Sequence, residues 1–136
     1  MEDCIFCKLA NGIWETNTLY ENQDFRVIFD ASPATVGHVL VIPKGHYANV
    51  FEMPEELAGK AYILAKKVAK VLMEVTGCDG INIVQNNNEE AGQTVFHFHM
   101  HVIPRYKGGE KMVIWPQGEP DQEKIDDIIA KAKEKF

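Results

Sequence analysis

The chain lacks the features that mark several large classes of protein. It has three cysteines, an odd and small number that does not suit a disulfide-rich secreted scaffold. Its 20 acidic residues outnumber its 14 lysines and arginines and give a net charge of -6, whereas duplex nucleic acid is bound by a basic stripe. No apolar run approaches the roughly 20 residues that cross a bilayer. We therefore predict that neither nucleic acid nor a membrane is a partner.

The size and composition are those of an ordinary globular protein. The 136 residues are 46% hydrophobic and 25% charged, and a chain of this length buries about two-thirds of its unfolded surface. The N-terminus, Met1-Glu2-Asp3-Cys4, has neither a basic leader nor an apolar signal stretch. We expect one domain over residues 1–136, located in the cytoplasm.

Short apolar or alternating runs predict an antiparallel sheet of about five strands. Most of the connections between these runs are short, which favours antiparallel neighbours. The runs, of which the first is the weakest, are Leu19–Glu21, Phe25–Phe29, Val39–Ile42, Ile81–Val84 and Val95–Ile103.

Two amphipathic segments predict helices. One, from about 54 to 76, has an apolar residue every three or four positions, begins at Pro54 and stops at Gly77. The other, about 121–134, has Asp121 as a candidate cap and three isoleucines on one face. Helices segregated from an antiparallel sheet predict an α+β fold.

Three of the five histidines stand at alternate positions of one stretch, His97-Phe98-His99-Met100-His101. Alternate side chains of an extended strand point to the same face, so the three imidazoles are predicted to line one face of the sheet. The residues expected to pack on the opposite face are Phe96, Phe98, Met100 and Val102. Histidine serves near neutral pH as nucleophile, base, acid or metal ligand. The pattern therefore leaves catalysis and metal binding both open.

A polar segment, residues 86–94, joins the predicted strand Ile81–Val84 to the histidine stretch. Polar side chains at the tip of a hairpin are well placed for binding. Asn86, Gln93 and Thr94 can donate hydrogen bonds to phosphate oxygens. By itself such a segment is typical of a turn, and it gains functional meaning only from the histidines beside it.

Three segments together resemble the histidine-triad (HIT) family. They are Gly37-His38-Val39-Leu40-Val41-Ile42-Pro43-Lys44, Glu90-Ala91-Gly92-Gln93-Thr94-Val95 and His97-Phe98-His99-Met100-His101-Val102-Ile103. The last segment, identified as the HIT motif at 97–103, has the pattern His-φ-His-φ-His-φ-φ, in which φ is apolar. The resemblance covers nearly the whole chain. It implies a nucleotide hydrolase or transferase whose middle histidine attacks an α-phosphate and forms a nucleotidyl-histidine.

The resemblance assigns catalytic roles to three histidines. His99 is expected to be the nucleophile, with its tautomer fixed by a backbone carbonyl near His97. His101 is expected to hydrogen-bond the phosphate and the leaving group, and His38 completes the cluster from the neighbouring strand. Uridylyltransferase-type relatives carry glutamine at the third histidine, so His101 favours hydrolysis.

The resemblance also implies a nucleotide pocket. Asn86, Gln93 and Thr94 match phosphate-contacting positions, and Asp30 matches a carboxylate that accepts hydrogen bonds from ribose hydroxyls. The apolar slot for a purine base is expected to be formed by Ile5, Phe6, Leu9 and Ile28. Ordinary core packing is the open alternative for these four residues.

A Cys-x-x-Cys pair at Cys4 and Cys7 predicts a second site. Two thiolates at this spacing can occupy two corners of a zinc tetrahedron, and two more ligands are then needed. Metal-bearing members of the family that the chain resembles use positions that correspond here to Cys4, Cys7, His46 and His97. This implies a structural zinc and no catalytic cofactor. A redox pair and free structural thiols are the alternatives.

The resemblance does not choose between two branches of the family. Glu90–Val95 and Ile103–Arg105 are similar to the Fhit branch, which cleaves dinucleoside polyphosphates. Cys4–Lys8 and the spacing to Asp30 are closer to the Hint branch, which cleaves nucleoside phosphoramidates. A purine nucleotide is the expected substrate in either case. The usual state of the family is a homodimer joined through the long helix and an edge strand, and we expect the same here.

Two other interpretations compete with a hydrolase. One is a nucleotide-binding or scaffold protein with little turnover, although the presence of His99 favours an active enzyme. The other is a metalloenzyme in which His97, His99 and His101 share one catalytic ion. Alternate residues of a strand lie roughly 6 to 7 Å apart, so three imidazoles converging on one ion would require unusual geometry.

Overall fold

The computed structural model contains a five-stranded antiparallel sheet with helices on both faces, and it describes residues 3–111 and 114–136. The strands are β1 (Thr18–Glu21), β2 (Phe25–Phe29), β3 (Val39–Pro43), β4 (Gly80–Val84) and β5 (Met100–Arg105). The helices are α1 (Ile5–Ala10), α2 (Glu55–Thr76) and α3 (Gln122–Ala132). Short 3-10 turns span Val50–Glu52, Glu89–Ala91 and Lys133–Lys135.

The strand order is β1-β2-β3-β5-β4, and every neighbouring pair is antiparallel. The α+β prediction is therefore confirmed. In this order β5 lies between β3 and β4, and its His101 pairs with Leu40. The last strand of the sheet in sequence is thus an interior strand, and it carries His101 and the end of the histidine motif between two other strands.

The predicted strand Val95–Ile103 is wrong at its start, because β5 begins only at Met100. The ladder between β3 and β5 ends at the pair Val41 and Met100. Continued by two residues, it would reach Pro43, which has no N–H to donate. The preceding segment instead attaches elsewhere, with Phe98 N donating to the Tyr47 carbonyl at 2.7 Å. Phe96, predicted to pack in the core, is 49% exposed, whereas Phe98, Met100 and Val102 are buried as predicted.

Both predicted helices form with the expected ends. Helix α2 follows Pro54 and ends at Gly77, whose φ of 68° is the left-handed conformation that glycine adopts without strain. Helix α3 is capped by Asp121, whose side chain accepts from Lys124 N. Within residues 3–111 and 114–136, no helix combines the length and the apolarity that crossing a membrane requires.

The two faces of the sheet have different packing. On one face, β2, β3 and β5 bury apolar side chains against α2, and each large side chain buried there contributes roughly 1.5–3 kcal/mol. On the other face, a smaller cluster of Ala10, Ile28, Leu40 and Ile42 packs with Phe6 and Leu9 of α1. His38 and His101 have the same strand parity as Leu40 and Ile103 and share this α1 face.

Helix α1 was not predicted from the sequence. It has only six residues, too few for an apolar period to be seen, and it is capped by Cys4, whose sulfur accepts from Cys7 N at 3.3 Å. The helix places both cysteines and Phe6 beside the histidine segment.

Candidate functional site

His38, His99 and His101 meet on the α1 face of the sheet. The ring centroids of His99 and His101 lie 5.1 Å apart, and those of His38 and His101 also lie 5.1 Å apart. His101 belongs to β5, His38 directly precedes β3, and His99 lies in the irregular segment just before β5. The structure thus brings together the three residues predicted to be catalytic.

The tautomer of His99 is set by one backbone carbonyl. Its Nδ1 lies 2.7 Å from the His97 carbonyl oxygen, which can only accept, so Nδ1 carries the proton. The lone pair of the neutral ring is therefore on Nε2. Burial lowers the pKa of His99, although the hydrogen bond to His97 opposes this effect. A neutral imidazole with one free nitrogen is the form that can act as a nucleophile.

The proton positions on His38 and His101 follow from another backbone group. Ala34 N donates to Nδ1 of His38 at 2.9 Å, so the proton of neutral His38 is on Nε2. That Nε2 lies 2.9 Å from Nδ1 of His101 and donates to it. Neutral His101 therefore carries its proton on Nε2, as a donor. Burial, followed by the neighbouring His99 and His38, lowers the pKa of His101 to about 4, and burial lowers the pKa of His38.

Asp30 lies beside this histidine pair. Its Oδ1 accepts from Ser32 N at 2.8 Å, and its Oδ2 lies 3.4 Å from His38 Nε2 and 3.9 Å from His101 Nδ1. The carboxylate opposes the lowering of both histidine pKa values. The predicted ribose-binding residue is therefore adjacent to the catalytic cluster.

The four residues predicted to hold the base are only partly together. Phe6 and Leu9 pack on the cluster that contains Ile28, and the Phe6 ring lies perpendicular to the His99 ring with centroids 4.8 Å apart. Ile28 is buried at 2% exposure and belongs to the core. Ile5 is 50% exposed and lines a surface cavity of about 730 Å³ with Thr94, Val95 and Phe96.

The predicted phosphate contacts come from a compact loop between β4 and β5. Thr94 is exposed and Asn86 is half-buried. Gly92 has a φ of 93°, and a side chain there would come within 3.7 Å of the Asn86 amide nitrogen. Gln93 is buried at 2% exposure, and all three of its amide hydrogen-bonding groups have partners inside the protein. That arrangement leaves Gln93 no amide proton for a ligand.

The four predicted metal ligands form a second cluster at the N-terminal end of the histidine segment. Nδ1 of His97 lies 3.3 Å from both the Cys4 and the Cys7 sulfur, and Nδ1 of His46 lies 3.3 Å from the Cys7 sulfur. All four ligand atoms lie within 4.8 Å of one another. Two thiols and two imidazole nitrogens at this spacing fit a tetrahedral zinc ion, whose bonds are roughly 2.0–2.3 Å long.

His97 is oriented for this cluster by the backbone. Its Nε2 donates to the Pro43 carbonyl at 2.9 Å, which leaves the lone pair of Nδ1 facing the two thiols. A second hydrogen bond of this kind typically fixes a metal-binding histidine. Because His97 faces the cysteines, it does not share a site with His99 and His101. The metalloenzyme interpretation, which required all three histidines to bind one ion, is therefore wrong.

The described residues hold one other group of convergent ligand atoms, Asp30, His38 and His101. A metal bound at His38 Nε2 would need the proton of that ring on Nδ1. Nδ1, however, accepts from Ala34 N. The hydrogen bonds therefore favour a hydrogen-bonded pair of His38 and His101 at this position over a metal site.

Sequence reasoning missed the residues that hold the β4–β5 loop. Asn49, Asn87 and Asn88 connect this loop to residues 48–50 through side-chain amides. The run Asn86-Asn87-Asn88 was the available signal, but a run of asparagines does not show which of them faces the protein. Ala34 fixes the His38 tautomer through its backbone N–H, which the identity of its side chain does not indicate.

Comparison with known proteins gives a consistent result. The family model described as "HIT domain" matches residues 12–108. Protein hit of Bacillus subtilis is 43% identical over 80% of this chain and 75% of its own length. Adenosine 5'-monophosphoramidase HNT1 of Saccharomyces cerevisiae is 34% identical over 90% and 75%. Adenylylsulfatase HINT3 of Arabidopsis thaliana is 37% identical over 76% of this chain and 52% of its own length.

Solved structures match over almost the entire chain. SMU.412c of Streptococcus mutans has a TM-score of 0.92 and 39% identity, covering 99% of this chain and 86% of its own. A zinc-bound histidine triad family protein of Mycobacterium smegmatis has a TM-score of 0.77 and 31% identity, covering 99% of both chains. With the family model, the identities and the triad geometry in agreement, this chain belongs to the HIT family of hydrolases.

Proposed function

We propose that this protein hydrolyses purine nucleotides at the α-phosphate through a covalent nucleotidyl-His99 intermediate. The observation that carries the proposal is the 2.7 Å hydrogen bond from His99 Nδ1 to the His97 carbonyl. It leaves the Nε2 lone pair available, in a ring that burial keeps neutral.

In the first step, Nε2 of His99 attacks the α-phosphorus, and the bond from phosphorus to the leaving group breaks. The leaving group departs with the bonding electrons and takes up a proton from solvent, while His101 Nε2–H donates a hydrogen bond to it. Nucleotidyl-His99 has a positively charged ring whose Nδ1–H still points at the His97 carbonyl, which favours the charged form.

In the second step, water attacks the same phosphorus and releases its proton to solvent. The bond between phosphorus and His99 Nε2 breaks, the lone pair returns to the ring, and a nucleoside monophosphate leaves. The proton consumed in the first step is thus returned in the second. The hydrogen bond from His101 stabilises the negative charge that develops on the leaving group in the first step.

Substrate recognition is assigned to the residues around the triad. Thr94 and Asn86 contact the phosphate from the β4–β5 loop, and the Asp30 carboxylate accepts from the ribose hydroxyls. Phe6 and Leu9 contribute the apolar surface for the base, with the buried Ile28 packed behind them and Ile5 at the exposed margin. Phe6 touches His99, so a base stacked there lies close to the reacting centre.

A nucleoside phosphoramidate is the substrate class that we favour. Two relatives are named for cleavage of adenylyl compounds, a monophosphoramidase and an adenylylsulfatase. Dinucleoside polyphosphates are the competing class, and the same nucleophile would serve for both.

We also propose that Cys4, Cys7, His46 and His97 hold a structural zinc ion. The donor set fits, and a solved relative is described as zinc-bound. When bound, zinc would stabilise the thiolate forms and fix the segment that leads into His99. Burial, followed by a hydrogen bond that the Cys7 thiol makes to Cys4, raises the pKa of the Cys7 thiol. Reduced thiols suit the predicted cytoplasmic location.

A homodimer is the proposed assembly. Strands β1 and β4 are the two edges of the sheet, and α2 exposes Tyr62, Ile63, Val71 and Val75. Edge strands and exposed apolar helix residues are the surfaces that dimers cover. Sedimentation at several concentrations tests this assembly, and a monomer throughout would exclude it.

The test of the proposed function is to mix excess enzyme with an adenosine phosphoramidate and quench within a single turnover. Mass spectrometry should detect one adenylyl group on His99 of the wild type. It should detect none in His99→Gly, which should still bind AMP. Turnover by His99→Gly at the wild-type rate would refute the mechanism.

The same preparation decides the substrate class. Values of kcat/KM are compared for an adenosine phosphoramidate and for diadenosine tri- and tetraphosphate. We expect the phosphoramidate to be preferred. Preference for the polyphosphates would reverse that choice, and binding of AMP without turnover of any substrate would favour a nucleotide-binding protein.

A further inference from the structure

Asn88 has a backbone conformation that residues other than glycine rarely adopt. Its φ of 75° and ψ of 159° lie in a region that is essentially reserved for glycine, and it is the only described non-glycine residue with positive φ. Such a conformation persists only where the surroundings hold it. The residue stands between Asn86 and Thr94 in the β4–β5 loop.

Backbone and side-chain hydrogen bonds both hold Asn88. Its N–H donates to Gln93 Oε1 at 2.8 Å, and its carbonyl accepts from Gln93 N at 3.1 Å. Its side-chain Oδ1 accepts from Asn49 Nδ2 at 3.0 Å. The loop is thus closed on itself by Gln93 and tied to a neighbouring loop by Asn49.

Gln93 and Asn49 are both buried, at 2% and 8% exposure. The two amide protons of Gln93 go to the Ala48 carbonyl at 2.6 Å and the Val95 carbonyl at 3.1 Å. Asn49 Oδ1 accepts from Phe51 N at 3.1 Å. Buried amides whose side-chain oxygen and nitrogen atoms are all paired make a stiff connection, since breaking one of these bonds leaves a polar group with less hydrogen bonding.

A parallel connection lies one residue earlier in the loop. Asn87 Oδ1 accepts from Val50 N at 2.9 Å and from Gln85 Nε2 at 2.8 Å. Asn87 Nδ2 in turn donates to Gln85 Oε1 at 2.8 Å. Four amide side chains therefore attach the loop to residues 48–50, and we name Asn49, Asn87, Asn88 and Gln93 the amide clamp.

We propose that the amide clamp holds the β4–β5 loop in its phosphate-binding conformation before substrate arrives, with Asn49, Asn88 and Gln93 as positioning residues. Asn86 and Thr94, the residues proposed to touch the phosphate, flank the clamp directly. The inference rests on the proposed function for the identity of the ligand. In this proposal Gln93 does not contact the phosphate directly and instead holds the loop in position.

The clamp makes a quantitative prediction about affinity. If only a fraction of molecules holds the competent loop, the apparent dissociation constant rises by the inverse of that fraction. Loosening the clamp should therefore raise KM and the Kd for AMP together. The value of kcat should change little, because substrate at saturation selects the competent loop.

Asn49 offers the cleanest test, because it is assigned no contact with substrate. Asn49→Ser keeps an oxygen that can cap the Val50–Glu52 turn but cannot reach Asn88. We expect this variant to raise the Kd for AMP, measured by calorimetry, and KM by about tenfold, with kcat within twofold of wild type. In an Asn88→Gly background the same substitution should cost less than about twofold, because glycine adopts the conformation without an anchor.

Two further variants serve as a control and as a second route. Asn22 caps the turn between β1 and β2 by accepting from Asp24 N and Phe25 N, so Asn22→Ser makes a matched change away from the pocket and should leave the Kd unchanged. Asn88→Ala removes the anchor but keeps a side chain that disfavours positive φ. It should raise the Kd more than Asn88→Gly does, even if Asn49→Ser fails to accumulate.

The outcomes separate the clamp from the proposed function. An unchanged Kd in Asn49→Ser, or an equal rise in both backgrounds, overturns the clamp, as does an equal effect of alanine and glycine at position 88. The Kd for AMP is measured without turnover. A wild type that binds AMP but cleaves no substrate therefore contradicts the proposed hydrolase, while the Kd values of the variants at positions 49 and 88 still test the clamp. A wild type that does not bind AMP overturns both.

Discussion

Two histidines that stand close together in one segment are held by their neighbours in opposite ways. His97 donates from Nε2 to the Pro43 carbonyl and turns the lone pair of Nδ1 to the thiols. His99 donates from Nδ1 to the His97 carbonyl and keeps the lone pair on Nε2. The residue type is the same in both places. The backbone carbonyl that fixes one ring nitrogen decides the chemistry open to the other.

The two clusters also differ in how far their side chains are exposed to solvent. In the proposed metal cluster, His97 is fully buried and Cys7 is 7% exposed, whereas Cys4 and His46 are half-buried, so half of the ligand set is shielded from solvent. In the catalytic cluster, the His101 side chain keeps 23% of its surface exposed beside Asp30. A site that must admit a substrate and release a product needs this opening. The following changes should separate the clusters experimentally.

The largest expected effect is on turnover at His99. His99→Gln should lower kcat by at least about 10⁴-fold, because His99 is the proposed nucleophile, and should leave the midpoint of thermal unfolding nearly unchanged. Steady-state kinetics and calorimetry measure the two quantities. A variant that loses stability but retains turnover would show that His99 has a structural role and is not the nucleophile.

The next effect is on stability at the metal cluster. Cys7→Ser should remove bound zinc and lower the free energy of unfolding by about 3–5 kcal/mol, because a thiolate ligand is lost and the fully buried His97 loses its metal partner. Cys78→Ala, at the buried cysteine outside the cluster, is the matched control and should keep its zinc. Metal analysis and denaturant unfolding give the result. Equal, substoichiometric zinc in all three proteins would exclude the site.

A pH effect should come from the catalytic cluster. The pKa of His101 is about 4 in the folded protein and near 6.5 in the unfolded chain, so between these values the unfolded chain binds the additional proton. The free energy of unfolding should therefore fall by about 3 kcal/mol from this residue as the pH drops from 6.5 to 4. His101→Gln should remove that part of the slope. Identical slopes in the variant and the wild type would contradict the assignment.

The smallest effect should appear at His38, which acts through His101. His38→Ala should lower kcat roughly 10- to 100-fold, because His101 then loses the donor that fixes its tautomer. His38→Gln, which can still donate an N–H, should recover part of the loss. A fall in stability with unchanged kcat would reduce His38 to a packing role.

Much of this arrangement could be predicted from the sequence. The Cys-x-x-Cys pair, the alternating histidines and the spacing of α2 are local patterns, and each depends on neighbours within a few residues. The start of β5 could not be read in this way, because it depends on Pro43 of another strand having no N–H to donate. Helix α1, with six residues, is too short for periodicity to reveal.

The internal role of Gln93 was also out of reach of the sequence. A glutamine next to a catalytic motif is a natural phosphate donor, and its burial depends on the Ala48 carbonyl, which is distant in the chain. In the same way, the His38 tautomer depends on the backbone N–H of Ala34. Side-chain identity can be read from a sequence, whereas the backbone partner of a side chain is fixed only by the tertiary fold.

The central claim, that backbone groups divide the labour of the histidines, is tested most directly by nuclear magnetic resonance. Long-range correlations between ring protons and nitrogens report which nitrogen carries the proton in each imidazole. Near pH 7.5 we predict protonation at Nδ1 in His99 and at Nε2 in His38, His97 and His101. A spectrum with the His99 proton on Nε2 would contradict the account.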